Sequence, residues 1–314
     1  MKKKKIFTVT SASLVLLLLA ACNAIKPTPA PTQTPQVLPA SGEQYYFVTN
    51  KLILPTTQAQ TEAYALNLDG DSQQRRDNKF GDLFTLLTSA AQGLELQASL
   101  DQAVNTGQLV SLHVVKSNDL LNDSSVLWSI FAGQKSQSAP RFDGSDNLTI
   151  DTAAPAYSPL IGLLTNGHFT GGPGAGRVQI FLLGQPVEVN LIGVRLEADL
   201  SAQGCANGKL GGGVALEEFR DKLLPAIVSG LNQIIRTDQN ASNTILPVFD
   251  SDNNGTITVQ ELENNPVLMM AVSPDLDLLD ASGKFSPGQD GVKDSYSIGL
   301  GFTCVPVIFN MPKD

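Results

Sequence analysis

Histidine, cysteine and tryptophan are scarce in this 314-residue chain, and acidic side chains outnumber basic ones. Two histidines, His113 and His168, with no Gly-x-Ser-x-Gly elbow to set beside them, leave no recognisable pairing of nucleophile and base, and both read as structural. None of the three cysteines has a second Cys or His at ligand spacing, which excludes a zinc motif. The run Gly171-Gly172-Pro173-Gly174-Ala175-Gly176 lacks the Lys-Ser/Thr of a phosphate loop and reads as a turn joining two strands. No repeat of fixed period organises the chain. A pair of carboxylates of the glycosidase kind stays open, because such pairs are distant in sequence and aspartates are plentiful here.

What is present starts with an address. Lys2 to Lys5 precede an apolar stretch peaking at Leu14-Val15-Leu16-Leu17-Leu18-Leu19 and ending at Ala20-Ala21-Cys22, which makes residues 1–21 a secretory signal. The stretch is too short to be a comfortable membrane span. Leu19-Ala20-Ala21-Cys22 resembles the lipobox of bacterial lipoproteins. That resemblance implies cleavage before Cys22, lipid on its thiol, and the membrane as a partner through that lipid. Asn23 follows, not Asp, so outer-membrane or cell-surface residence is expected. The alternative is a plain signal peptide with a chance cysteine. Residues 22–42 are rich in Pro and Thr and read as an extended tether carrying the lipidated cysteine.

Of 21 basic residues, four leave with the signal, so 17 face 30 acidic ones and the mature net charge is −13. Such a surface repels nucleic-acid phosphates, which argues against a nucleic-acid partner, and suits divalent cations. No residue pattern names a protein or glycan partner.

The remaining region, 43–314, is long enough for one large domain or two small ones and reads as a β-rich globular domain. Phe47 to Leu54, Leu109 to Val115, Val126 to Ala132, Leu148 to Ile150, Val178 to Leu183, Val187 to Leu200 and Tyr296 to Phe309 are β-branched or aromatic runs separated by turn residues. Within Val194 to Leu200, charged and apolar residues alternate, as on an antiparallel sheet with one wet face. Asn166-Gly167 marks a tight turn. Helical spacing recurs at Gly81 to Gln92, at Leu94 to Val104, and at Glu217 to Arg236, where Pro225 should kink the helix or mark its true start. The expected class is α+β, mainly β: an antiparallel β-sandwich-like body with packed helices. Cys205 and Cys304 are candidates for a disulfide in an exported protein, or two buried thiols.

The chemistry-bearing motif is Asp250-Ser251-Asp252-Asn253-Asn254-Gly255-Thr256-Ile257-Thr258-Val259-Gln260-Glu261. It satisfies the D-x-[DN]-x-[DN]-G-x5-E pattern and resembles the EF-hand loop. The resemblance implies Ca2+ held by Asp250, Asp252, Asn254, the Thr256 carbonyl, Thr258 and a bidentate Glu261, with Gly255 at the sharp turn and Ile257 toward the core. Thr258 and Glu261 also make a capping box for an exit helix. Within segment 243–265 the flanks depart from that family: Pro247 stands three residues before the loop, and Pro266 ends the exit helix after about two turns. Shortened flanks and a single loop point to a structural clamp, not to a sensor that opens. Two weaker candidates are Asp69, Asp71, Gln73 and Asp77, and Asp275, Asp277, Asp280, Asp290 and Asp294, which read either as eroded calcium turns or as solvated Asp/Gly turns.

As a whole the chain resembles exported lipoproteins with a single EF-hand-like loop near the C-terminus and no described activity. The expectation is a calcium-binding, lipid-anchored surface or periplasmic protein with a structural or binding role. Its rivals are a calcium-stabilised exported hydrolase acting on polysaccharide, and a carrier holding an apolar ligand between the sheet and the long helix.

Overall fold

The computed structural model describes residues 42–71, 76–90, 95–271 and 273–310. The signal, Cys22 and all of the tether except Gly42 lie outside the described residues, as does Gln73. In chain order come β1 (Glu43–Ile53), α1 (Gln58–Ala63), α2 (Lys79–Ala90), α3 (Leu96–Asn105), β2 (Ser111–Ser117), β3 (Asp123–Ala132), β4 (Asn147–Thr149) and β5 (Leu160–Thr165). There follow β6 (His168–Leu182), β7 (Gln185–Ser201), β8 (Gly204–Ala215), α4 (Leu216–Glu218), a π turn (Phe219–Leu223), α5 (Leu224–Thr237), α6 (Gln239–Phe249), α7 (Val259–Asn264), α8 (Pro266–Ala271), β9 (Ser295–Pro306) and β10 (Ile308–Asn310). No helix of the described residues is long and apolar enough to cross a membrane.

The fold is mixed α+β with one eight-stranded antiparallel sheet. Strands β1, β2, β3, β5, β6, β7, β8 and β9 pair in that order, and β9 also pairs with β1, so the sheet closes on itself. The two facing sheets of the expected sandwich are thus replaced by a single ring. The physical reason lies in the turns. Asn166-Gly167 and Leu183-Gly184 have positive φ at both residues, the geometry of tight hairpins, so successive strands pair with their chain neighbours. A sheet in up-and-down order has two bare edges, and closing it removes both.

Alternation sends Phe47, Val115, Trp128, Phe169, Leu210 and Phe302 to the main core. The rings of Trp128 and Phe169 lie 4.9 Å apart, and Phe302 stacks on His113 at 5.6 Å. Glycine makes the room. A Cβ on Gly171 would lie 2.4 Å from the Phe169 ring, and one on Gly208 would lie 2.6 Å from Phe302. This explains why Gly171 to Gly176, expected as a turn, runs instead within β6, where the register shifts at Gly171/Gly174. It also explains β8, a glycine-rich strand that the hydrophobic pattern does not reveal.

On the opposite face, Val48, Leu112 and Val114 meet Leu148 and Phe309, because the parallel pair β4–β10 covers the outside of β1 and β2. The helices pack around Phe80, Phe219 and Tyr296, with the last two rings 4.7 Å apart. The long helix expected over 217–236 is α4, the π turn and α5 in succession. Pro225 sits in the first turn of α5, directly after the π turn. Pro247, read as shortening the flank of the loop, lies inside the last turn of α6, so an eleven-residue helix does enter the loop.

Cys205 and Cys304 are register partners across β8 and β9 and form a disulfide, 99 residues apart in sequence. Replacing both by Ala is expected to lower the free energy of urea unfolding by ~2–5 kcal/mol, the usual effect of releasing a long loop. An unchanged midpoint under oxidising conditions would contradict a stabilising tie.

Candidate metal centre

The loop from Asp250 to Glu261 is held between α6 and α7. At the start of α6, the Asp238 carboxylate accepts from the Asn240 and Ala241 amides, and Phe249 at its end is buried. After the loop, Thr258 caps α7: its hydroxyl accepts from the Glu261 amide at 3.2 Å while Glu261 Oε2 accepts from the Thr258 amide at 2.9 Å. Between these ends the chain turns through Asn253 at φ 57° and Gly255 at φ +84°. A Cβ on Gly255 would touch nothing, so glycine is needed there for its backbone conformation alone.

The turn brings one carboxylate oxygen from each of Asp250, Asp252 and Glu261 within 4.8 Å of one another. Among the described residues no other group of three His, Cys, Asp or Glu is so gathered. Backbone amides hold these oxygens in place. Asp250 Oδ1 and Oδ2 accept from Asn254 and Gly255, and Asp252 Oδ1 accepts from Asn254. Asn254 Oδ1 takes the amide of Thr256. Glu261 Oε1 receives the amides of Ser251 at 2.8 Å and Asp252 at 3.3 Å. Desolvation pushes the Glu261 pKa up, but the donors from Thr258, Asp252 and Ser251 outweigh it and bring it down to about 2. The carboxylate is therefore ionised at any ordinary pH.

The donor set fits a hard divalent cation: it is all oxygen, and three of the side chains are carboxylates. The helix-flanked acidic cluster could form a calcium-type loop. Thr256 and Thr258 lie in the same loop, their hydroxyls turned to Asn254 Oδ1 and Glu261 Oε2.

One residue that sequence reasoning missed ties this loop to the body of the protein. Asn232, on α5, accepts from the Ile257 amide at 2.8 Å and donates to the Ile257 carbonyl at 2.6 Å. One side-chain amide thus satisfies both backbone groups, as a neighbouring strand would, while the Ile257 side chain is buried in the main core. A polar residue beside Leu231 on an otherwise apolar stripe was the available signal.

The weaker candidates behave differently. Two aspartate runs about 200 residues apart meet around Lys293, whose Nζ lies 3.0 Å from Asp69 Oδ2 and is charge-coupled to Asp275 and Asp277. Asp77 and Asp277 are buried, and Asp277 Oδ2 accepts from the Gly291 amide. Asp280 and Asp290 accept from amides two residues on, Asp294 accepts from Leu278 and Leu279, and Asp71 donates its amide to Asp69. These are turn-closing bonds, and the ammonium of Lys293 stands among the carboxylates where a cation would be.

Among the described residues no catalytic site or hydrolase motif is evident. His168 pairs with Asp199 at 2.7 Å on the surface. His113 lies 2.8 Å from the Thr49 hydroxyl, but its Nδ1 accepts the Trp128 indole N–H at 3.1 Å, so its proton sits on Nε2 and it cannot act as a base toward Thr49. Between sheet and long helix the packing is tight: a Cβ on Gly230 would lie 2.3 Å from Leu183. At that point the two are in direct contact.

Asp77 supplies a prediction. Burial, partly offset by the Leu68 amide and augmented by Asp69 and Asp275, raises its pKa from 3.8 to about 6. The folded chain then binds the proton more tightly than the unfolded one, so this contribution is complete below pH ~3.8 and lost as pH rises through ~6. Asp77→Asn keeps an acceptor for Leu68 without the charge. It is expected to stabilise the protein at pH 7.5 by up to ~3 kcal/mol and to flatten the melting temperature between pH 4 and 7. A variant that melts lower at pH 7.5 would refute this.

No protein-family model matches the chain, and neither a curated protein nor a solved structure matches it, so its functional reading rests on the geometry above.

Proposed function

We propose that this chain is an exported lipoprotein, anchored through lipid on Cys22, in which the loop Asp250–Glu261 binds Ca2+ as a clamp for a structural or binding role at the outer membrane or cell surface. The observation that carries the calcium part is the convergence of Asp250, Asp252 and Glu261 oxygens inside a helix-flanked turn. Asn254, the Thr256 carbonyl and Thr258 complete the ligand set in this reading. Calcium would neutralise like charges crowded in one turn and fix α6, α7 and, through Asn232, α5 relative to one another. The anchor rests on the sequence alone, on the basic head, the apolar core and the lipobox-like Leu19 to Cys22.

Calorimetric titration of the protein with calcium is expected to show one site with a dissociation constant on the order of 10⁻⁴–10⁻³ M, as in extracellular modules. Glu261→Gln and Asp250→Ala should each abolish the heat in that range. Identical heats in those variants, or none in the parent at millimolar calcium, would remove the claim. Saturation at a hundredfold the dissociation constant should raise stability by ~2.7 kcal/mol, seen as a higher melting temperature that a chelator reverses.

Asn232→Leu tests whether the loop is coupled to α5. It leaves the Ile257 amide and carbonyl without their partner and is expected to destabilise by ~1–3 kcal/mol and to weaken calcium affinity, so at a fixed calcium concentration the rise in melting temperature should shrink. An undiminished rise would mean that the loop does not act through α5.

A further inference from the structure

β5 is short, so the closed ring leaves a gap at one end between β3 and β6. β5 accompanies β3 only as far as the Trp128↔Leu160 pair, and it accompanies β6 only from His168 to Gly171. Beyond those points Ile130 to Ala132 and Ala175 to Gln179 have no strand between them, and both border an opening into the interior. Behind it lies a cavity of about 60 Å³, continued by a second of about 20 Å³ that shares Ile130, Tyr157, Arg177 and Leu210 with it. The walls are mainly apolar: Leu52, Ile130, Val178, Leu210 and Phe302. Residues 154–158, free of helix and strand, lie over the opening. They are latched to β7 by the Tyr157 hydroxyl, which donates to Asn190 Oδ1 at 2.9 Å.

One polar group at the inner wall lacks a partner for its proton. Trp128 donates to His113 Nδ1, so His113 Nε2 carries the ring proton and donates to Thr49 Oγ1. Full burial lowers the His113 pKa to about 3, which keeps this neutral tautomer at any physiological pH. The Thr49 hydroxyl therefore accepts from His113, and its own hydrogen has no acceptor among the described residues. Thr49 is 4% exposed and lines the cavity, so that donor is buried and available to an incoming acceptor. At the entrance the Arg177 guanidinium is already matched: Nη1 lies 2.6 Å from Glu188 Oε2, and Nε donates to Asn190. No unbalanced charge calls for an anion.

We propose that this cavity binds a slender, uncharged aliphatic molecule with one carbonyl oxygen, which accepts from the Thr49 hydroxyl after entering between β3 and β6 beneath residues 154–158. The two cavities together are about half the ~150 Å³ that admits benzene in an engineered protein. The fit is therefore to a compact molecule of about three or four heavy atoms, smaller than benzene. This site is separate from the calcium loop and does not depend on it.

Trp128 is the single tryptophan of the chain and borders the smaller cavity, so its emission reports on occupancy. The test titrates the full chain with acetone and, in parallel, with propane. A saturable change in emission with the ketone is expected. In Thr49→Val the ketone should bind about fivefold more weakly, the effect of one neutral hydrogen bond, while the response to propane stays unchanged and Thr49→Ser restores ketone affinity. No saturable response, or equal ketone affinity in Thr49→Val and the parent, overturns the proposal; the second result would leave at most a water-filled packing defect. Should Thr49→Val fail to fold by circular dichroism, Tyr157→Phe carries the test. Without its latch the ketone should associate several-fold faster, and an unchanged rate overturns the entry route and the site with it.

Discussion

A closed ring of eight strands has little interior volume, and a large side chain enters it only where a neighbouring residue gives up its own Cβ. Phe169 lies where Cβ atoms on Gly162 and Gly171 would stand, and Phe302 where one on Gly208 would. The remainder of the interior follows from this exchange. With those rings seated on glycine, Trp128 packs against Phe169 and reaches His113, and His113 stacks on Phe302. Smallness is also what lets β6 shift register at Gly171/Gly174 and part from β5, and the opening between β3 and β6 begins at that point. Packing at one level of the ring and a cavity at the next thus come from one allocation of volume.

The same exchange decides how much of the fold could be read from the chain. Strands whose inward positions carry apolar side chains, such as Val126 to Ala132 and Val194 to Leu200, are visible in the sequence pattern. β8 is not, because Gly208, Gly211, Gly212 and Gly213 replace the side chains that would mark it, and glycine in a sequence looks like a turn. For the same reason the glycines of β6 suggested a connection. A sandwich and a ring have the same local pattern; what separates them is the pairing of β9 with β1, a contact between the two ends of the region that no local spacing encodes. The loop at Asp250 to Glu261 was legible in full, since its twelve positions are contiguous and its capping box is local. Asn232 was hidden because its partner, Ile257, is 25 residues away.

That long-range bond changes what a calcium loop can do here. A solitary loop leaves the amide and carbonyl at Ile257 facing no strand, and an unsatisfied pair of that kind is costly once the side chain is buried. The Asn232 amide meets both groups, so the loop needs no second copy to complete its backbone pairing. The consequence is mechanical. A cation drawn into the oxygens of Asp250, Asp252 and Glu261 would pull on a segment already riveted to α5, and α5 is packed through Gly230 against the β6–β7 turn at Leu183. Order imposed at the loop would then pass to the sheet through these contacts.

Three aspartate-rich runs look alike on paper, yet burial and amide donors give them different chemistry. Around Lys293 the carboxylates of Asp77 and Asp277 are buried, and burial raises Asp77 until a proton becomes an alternative to a cation. An ammonium already stands beside Asp69, so this cluster can neutralise itself from within. In the loop, backbone amides from Ser251, Asp252 and Thr258 converge on Glu261 and hold it ionised far below neutral pH. A hard divalent ion is attracted by oxygens that are charged, converged and without an internal counter-ion. Counting acids cannot distinguish these cases; what each carboxylate meets can, because Lys293 stands beside Asp69 whereas oxygens of Asp250, Asp252 and Glu261 converge on one another.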